Sequence, residues 1–182
     1  MVRGRGYVGA LVAVVLLSLG LSACTPPAPT PTPTPTGFAD EDAAFAAAEE
    51  TYRAYVDASN EIDLSEPATF EGMFQWTTGE LNASDRRALS EYHAEGFTVS
   101  GETVTESFTP ANYDPDSIPI VRGTACSNVS SINLVDASGV SQVGADRPDI
   151  YQLELEFVYS ASATYGLLIS ASTAVEPVQC AE

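Results

Sequence analysis

Residues 25–36 read TPPAPTPTPTPT, and no other stretch of the chain restricts folding as sharply. Half of the chain's 12 prolines lie in it. Each proline fixes φ and lacks a backbone N–H, so neither a helix nor a sheet ladder can run through the tract. Such a run populates extended polyproline II and acts as a spacer, reaching roughly 35 Å at about 3.1 Å per residue. It therefore divides the 182-residue chain. A leader, 1–23, stands before it; the tether is 24–37; the remainder, 38–182, is the only part long enough to fold. That remainder is one domain's worth of chain. A chain of that size buries about two-thirds of its unfolded surface, enough for one core.

The leader has the layout of an export signal. Arg3 and Arg5 give a positive start, Tyr7 to Gly20 is apolar, and Leu21-Ser22-Ala23-Cys24 closes it. A membrane-spanning helix needs about 20 apolar residues, and this run is shorter. Gly4 separates the arginines, so the signal is not of the twin-arginine kind. Leu-Ser-Ala-Cys resembles the lipobox of bacterial lipoproteins. That resemblance implies diacylglycerol on the Cys24 sulfur, cleavage just before it, and a mature protein held on the outer face of the cell membrane. Two acyl chains anchor where one only visits, because each buried CH₂ contributes about 0.8 kcal/mol.

Charge supports an anchor that needs no basic patch. The chain has no lysine, and two of its seven basic residues leave with the leader, so five arginines face 25 carboxylates. A surface so acidic excludes nucleic acid as a partner, since phosphates require cations. It equally excludes adhesion to anionic lipid by charge.

Within 38–182 the period of the apolar residues changes once. Asp40-Glu41-Asp42 precedes Phe45, Ala48, Tyr52, Tyr55, Val56 and Ile62, predicting a helix over about 40–60. Ser65-Glu66-Pro67 marks a second start, with Pro67 near the first helical position and Phe70, Met73 and Phe74 on one stripe. A third helix, capped by Asn82 or Ser84, runs to about Glu95 and stops at Gly96. After Gly96 the period is two. Phe97 and Val99 alternate, and Val104 and Phe108 continue with shifted parity, which predicts a bend at Gly101. Ile118, Ile120, Thr124 and Cys126 share one face of a further strand that Pro119 opens. Ile132 to Val135 and Val140 to Val143 flank a turn. Tyr151 to Tyr159 alternates most cleanly, with Leu153, Leu155 and Phe157 inward and Glu154 and Glu156 outward. Tyr165 to Val175 is the last strand.

Helices followed by antiparallel strands make an α+β domain, one bent sheet on one long helix. The pattern, with Gly96-Phe97-Thr98-Val99-Ser100-Gly101 followed by Thr103-Val104, resembles actinobacterial lipoproteins of the NTF2-like (SnoaL-like, ketosteroid-isomerase-like) cone fold. A cystatin-like arrangement gives a similar pattern.

The chemistry-bearing residues are few. With Cys24 assigned to lipid, Cys126 and Cys180 form an even pair, and outside the cytoplasm such a pair oxidises to a disulfide. No metal or other cofactor is expected. His93 is the sole histidine, and the acidic Asn112-Tyr113-Asp114-Pro115-Asp116-Ser117 lacks EF-hand spacing and reads as a solvated turn. There is no Gly-x-Ser-x-Gly and no lysine for a phosphate loop. What resists dismissal is proton transfer, because cone-fold enzymes use an acid and a tyrosine in an apolar pocket. Asp57 and Tyr52, Tyr55, Trp76, Tyr92, Tyr151, Tyr159 and Tyr165 are the residues that such a pocket would draw on. None matches a catalytic motif, so no catalytic residue is assigned. The expected role is a non-catalytic binding or interaction domain at the cell envelope, with an envelope protein or cell-wall partner. The alternatives are a cone that binds a small apolar ligand, or a pocket enzyme. A pocket with a buried carboxylate would favour the enzyme, an apolar pocket without one the ligand, and a filled cone with an apolar patch the partner.

Overall fold

In the computed structural model the described residues are 37–176 and 179–180. The leader and the tether up to Thr36, with Cys24, lie outside them. Among the described residues no helix is long and apolar enough to cross a membrane.

The first helix, α1 (Glu41–Asn60), begins where the acidic residues predict. The Asp40 carboxylate accepts from the Ala43 amide at 2.8 Å, and Glu41 and Asp42 lie on the positive end of the helix. Its buried face is Ala44, Ala48, Thr51, Tyr52 and Val56. The two alanines let the helix backbone approach the sheet closely. A 3₁₀ turn over Pro67–Phe70 leads into the short α2 (Glu71–Phe74), with proline at the turn's first position. The long α3 (Gly79–Glu95) starts earlier than its expected caps. Thr78 occupies the cap, and the Asn82 amide instead donates to the carbonyl of Phe74 at 2.9 Å, binding α3 back onto α2. Gly96 ends α3 with φ 71°, the left-handed conformation that glycine adopts without penalty.

Six strands follow: β1 (Thr98–Ser100), β2 (Val104–Asp114), β3 (Ile120–Asn128), β4 (Asn133–Val135), β5 (Ile150–Tyr159) and β6 (Leu167–Val175). They form a four-stranded antiparallel sheet in the order β2-β3-β5-β6 and a separate β1-β4 pair. Irregularities in β2 at Thr105/Ser107 and Pro110/Asn112, and one between β5 and β6 at Glu156/Phe157, bend the main sheet. Pro110 is tolerated because β2 is an edge strand. The other edge, β6, is partly covered: Thr78 donates to the Ile169 carbonyl at 2.9 Å and Ile169 to the Trp76 carbonyl at 2.9 Å.

α1 packs on the concave face, and the core between them is Ala44, Ala48, Tyr52, Val56, Val121, Ala125, Leu155, Phe157, Leu167 and Ile169. Leu155 and Phe157 face inward and Glu154 is exposed, as the alternation predicts; Glu156 turns outward to an ion pair with Arg122 at 2.7 Å. β3 corrects the sequence reading. Its inward residues are Val121, Gly123, Ala125 and Ser127, so Ile120, Thr124 and Cys126 lie on the outer face. Ile118 precedes the strand and is 63% exposed. Gly123 faces inward because the Phe108 ring lies over it; a Cβ there would stand 2.7 Å from that ring. The segment 140–143 forms no strand of its own, only a bridge between Val135 and Ser141. The acidic turn is shorter than expected, since Asn112 to Asp114 complete β2. Gly37, assigned above to the tether, is half-buried against Pro119.

Candidate functional site

A second cluster, of Leu64, Phe70, Met73 and Phe74, lies beyond the C-terminal end of α1. Local chemistry turns the chain there. The Asp63 carboxylate accepts from the Ser65 amide at 2.8 Å and its hydroxyl at 2.7 Å, which drives Leu64 inward and holds the Asp63 carboxyl below its ordinary pKa. The His93 Nδ1 donates to the Leu64 carbonyl at 2.7 Å, so the lone histidine secures this turn and carries its proton on Nδ1.

The β1-β4 pair packs against the cluster through Val99 and Leu134 but leaves it partly open. Between them lies an open cleft of about 410 Å³. Ile62, Leu64 and Met73 form one wall, Leu89 and Tyr92 of α3 another, and Val99, Val129, Ile132 and Leu134 the third. Tyr151, at the start of β5, and Arg147, on the loop before it, complete the lining with Ser59, Asn60, Gly101 and Thr103.

Two devices fix the walls in place. The Asn60 side chain donates to the Thr103 carbonyl at 2.9 Å and accepts from the Thr103 amide at 2.8 Å, tying α1 to the link between β1 and β2. Gly101, in that link, has φ 89° and lies so close to the 129–132 turn that a Cβ would fall 2.0 Å from the Ser131 carbonyl oxygen. Only glycine permits this crossing. The Ser131 hydroxyl then accepts from the Glu102 amide at 3.0 Å and donates to the Glu102 carbonyl at 2.8 Å.

The lining contains no aspartate, glutamate or histidine, and its one charged side chain is Arg147. Its Nη2 donates to the carbonyls of Val129 at 2.8 Å and Ile132 at 3.3 Å.

Of the aromatic residues considered for a pocket, the cleft takes Tyr92 and Tyr151. Tyr52 is core; Trp76 stacks on Tyr165 with centroids 5.8 Å apart, and Tyr159 meets Phe38 at 5.9 Å, both elsewhere. Asp57 is exposed and borders a separate polar groove of about 310 Å³ with Arg53 and Glu102. The carboxylate with a perturbed environment is Asp85, which the sequence reading passed over. Its Oδ2 is buried without a hydrogen-bond partner, and desolvation raises its pKa to about 6, opposed by a hydrogen bond with Thr77. Burial, then the Asp85 charge and Tyr52, push the Tyr55 hydroxyl up as well. Asp85 borders neither the cleft nor the groove. The signal for it was legible: Leu81, Asp85, Leu89 and Tyr92 share one helical face of α3.

Cys126, on the outer face of β3, is bonded to Cys180 with Cα atoms 5.7 Å apart. Beside it the Gln179 amide donates to the Gln152 side chain at 2.7 Å. Among the described residues no group of three or more His, Cys, Asp or Glu is placed to hold a metal ion.

No protein-family model matches the chain, and no curated protein matches it. Solved structures with a similar course include the intermembrane-space region of the chloroplast protein ARC6, with TM-score 0.48 and 14% identity over 72% of this chain and 95% of that one. The periplasmic domain of DotI gives 0.48 and 12% over 78% and 99%. VirB8 of Agrobacterium tumefaciens gives 0.43 and 8% over 80% and 100%. All three likenesses fall below a TM-score of 0.5.

Proposed function

We propose that the chain is a lipid-anchored envelope lipoprotein with an NTF2-like cone domain, and that this domain is a non-catalytic receptor for a small apolar ligand. The observation that carries the reading is the cleft: open, walled by aliphatic and aromatic side chains, and free of carboxylates. Its volume of about 410 Å³ lies within the roughly 300–1,000 Å³ of small-molecule sites. General acid–base chemistry needs a titratable group within hydrogen-bond reach of the reacting atoms. The cleft lining offers no carboxylate or imidazole for this, and the perturbed Asp85 borders a different part of the fold. Anchoring at Cys24 rests on the lipobox-like Leu21-Ser22-Ala23-Cys24, and the tether would let the cleft face the space outside the membrane.

The test is uptake of the neutral fluorophore N-phenyl-1-naphthylamine. Saturable one-to-one enhancement is expected, with at least a tenfold loss in Leu134→Trp, whose larger ring fills the cleft. Enhancement that is unsaturable, or unchanged by Leu134→Trp, would remove the reading.

A second reading, with a protein partner, draws on β6. Ala171 to Ala174 are exposed at the edge of the sheet, where an extended segment could add as a further strand. Crosslinking of the anchored protein followed by pull-down, comparing the native chain with Ser172→Pro, tests it.

A further inference from the structure

The cleft also carries information about the polar end of its occupant. The chain holds five arginines after the leader. Three are paired with carboxylates: Arg53 with Glu49 at 2.8 Å, Arg86 with Glu71 at 3.1 Å and Arg122 with Glu156 at 2.7 Å. Arg87 is exposed on α3. Arg147 is half-buried, yet no carboxylate of the described residues stands within ion-pair distance of it. After the leader 25 acids face five arginines, and a half-buried cation that meets none of them is the exception.

Its geometry is that of a prepared site. A guanidinium has five N–H donors in a fixed fork. The two carbonyls of Val129 and Ile132 engage Nη2. Nε and Nη1 have no acceptor among the described residues. The carbonyls fix the plane of the group without neutralising its charge. The Asn60 side-chain oxygen is turned to the Thr103 amide, and Arg147 makes no bond to it. A partly desolvated cation without a counterion is costly, and an anionic ligand would relieve that cost through charge-assisted hydrogen bonds. Size narrows the class. The cleft's volume of about 410 Å³ lies toward the lower end of the roughly 300–1,000 Å³ of small-molecule sites. That suits one hydrocarbon chain of medium length.

We infer that the cleft takes a single-chain fatty-acid-type carboxylate, its hydrocarbon against Leu64, Met73, Leu89 and Leu134 and its head on the free edge of the Arg147 guanidinium. This rests on the receptor reading above and adds the chemistry of the head.

Every helix, strand and core residue described lies within 37–180, so the chain from residue 24 onward, with Cys24→Ser to keep it free of detergent, retains the folded unit. Calorimetric titration at pH 7.5 compares dodecanoate, dodecan-1-ol and dodecylamine below their micelle thresholds. Dodecanoate is expected to bind at least tenfold more tightly than the alcohol, and the amine more weakly than either. Arg147→Gln should erase the preference, so that acid and alcohol bind this variant within about twofold of each other. The variant also removes the clamp on two carbonyls, so near-ultraviolet circular dichroism must show it folded. Should it not fold, the three probes on the unaltered residue 147 decide alone. Equal binding of acid and alcohol would overturn the anionic-head inference while leaving the receptor reading intact. Preference for the amine would do the same. Binding of none of the three would remove both.

Discussion

Replacing Asp85 by Asn should stabilise the domain at neutral pH and not at acid pH. Asp85 lies on α3, its charge felt by Tyr55 of α1, its Oδ2 buried without a partner, and desolvation raises its pKa from 3.8 to about 6. A carboxyl whose folded pKa exceeds its unfolded one binds more protons in the folded state between those values. Its contribution is therefore fully present below about pH 4 and is lost as the pH rises through about 6. Two pKa units correspond to ~3 kcal/mol. Water still reaches part of the half-buried side chain, which reduces the expected penalty at pH 7.5 to about 1 kcal/mol. Asn keeps the shape and a hydrogen-bonding oxygen for Thr77 without the charge. Urea melts of both proteins at pH 4.5 and 7.5 make the comparison, and the difference between the proteins at each pH cancels the titration of the many other carboxylates. Asp85→Asn is expected to gain about 1 kcal/mol at pH 7.5 and to change by less than about 0.5 kcal/mol at pH 4.5. A difference of the same size at both values would refute the claim that burial of the charge governs this site.

Four further outcomes are expected. Leu155→Ala should cost about 2–5 kcal/mol in urea melts, because Leu155 is 2% exposed in the core, whereas Glu154→Ala on the opposite face should cost about 0.5 kcal/mol or less. Gly101→Ala should cost about 2 kcal/mol or more by the same assay, since its φ of 89° and the Ser131 carbonyl at 2.0 Å from a Cβ leave no relaxed position; a neutral result would mean the crossing is loose. Metabolic labelling with a clickable fatty acid should mark the wild-type protein and not Cys24→Ser; equal labelling would sink the assignment. Non-reducing peptide mapping of exported protein should recover Cys126 linked to Cys180, and two freely alkylated thiols would contradict that bond.

How far the fold could be read from the sequence depended on how many neighbours each element had to satisfy. α1 was legible to within a residue because its cap, its acidic first turn and its apolar stripe are all local. β5 was legible because one face is core and the other is water, which imposes strict alternation. β3 misled for the opposite reason. Its outer face carries the half-buried Ile120, Thr124 and Cys126, while its inner face must admit the Phe108 ring and α1 and is built from the small Gly123 and Ala125. Large residues there do not mark the inside. α3 misled at its start because Asn82, a good cap by type, is spent on α2.

The cleft was less legible than the core because no single stretch of sequence makes it. Its walls come from the ends of α1 and α2, the C-terminal half of α3, both strands of the small pair, the start of β5 and four links between elements, each contributing one or two residues. What brings them together is a glycine, Gly101, whose importance is steric and shows only against the Ser131 carbonyl of a distant turn. Arg147 illustrates the same limit. In the sequence it stands between Asp146 and Pro148 with Asp149 beyond, and proximity alone would pair it with its acidic neighbours. In the fold, Asp149 instead lends its backbone carbonyl to Val129 at 2.8 Å, and the arginine turns to the carbonyls of Val129 and Ile132. The loop thus separates a positive charge from the acids beside it in the chain and delivers it to an apolar wall. Among the described residues Arg53, Arg86 and Arg122 take carboxylates, the exposed Arg87 has water, and the half-buried Arg147 has neither a carboxylate nor full exposure. Held by neutral oxygens at the border of the cleft, Arg147 is the charge on which the proposed carboxylate head would rest.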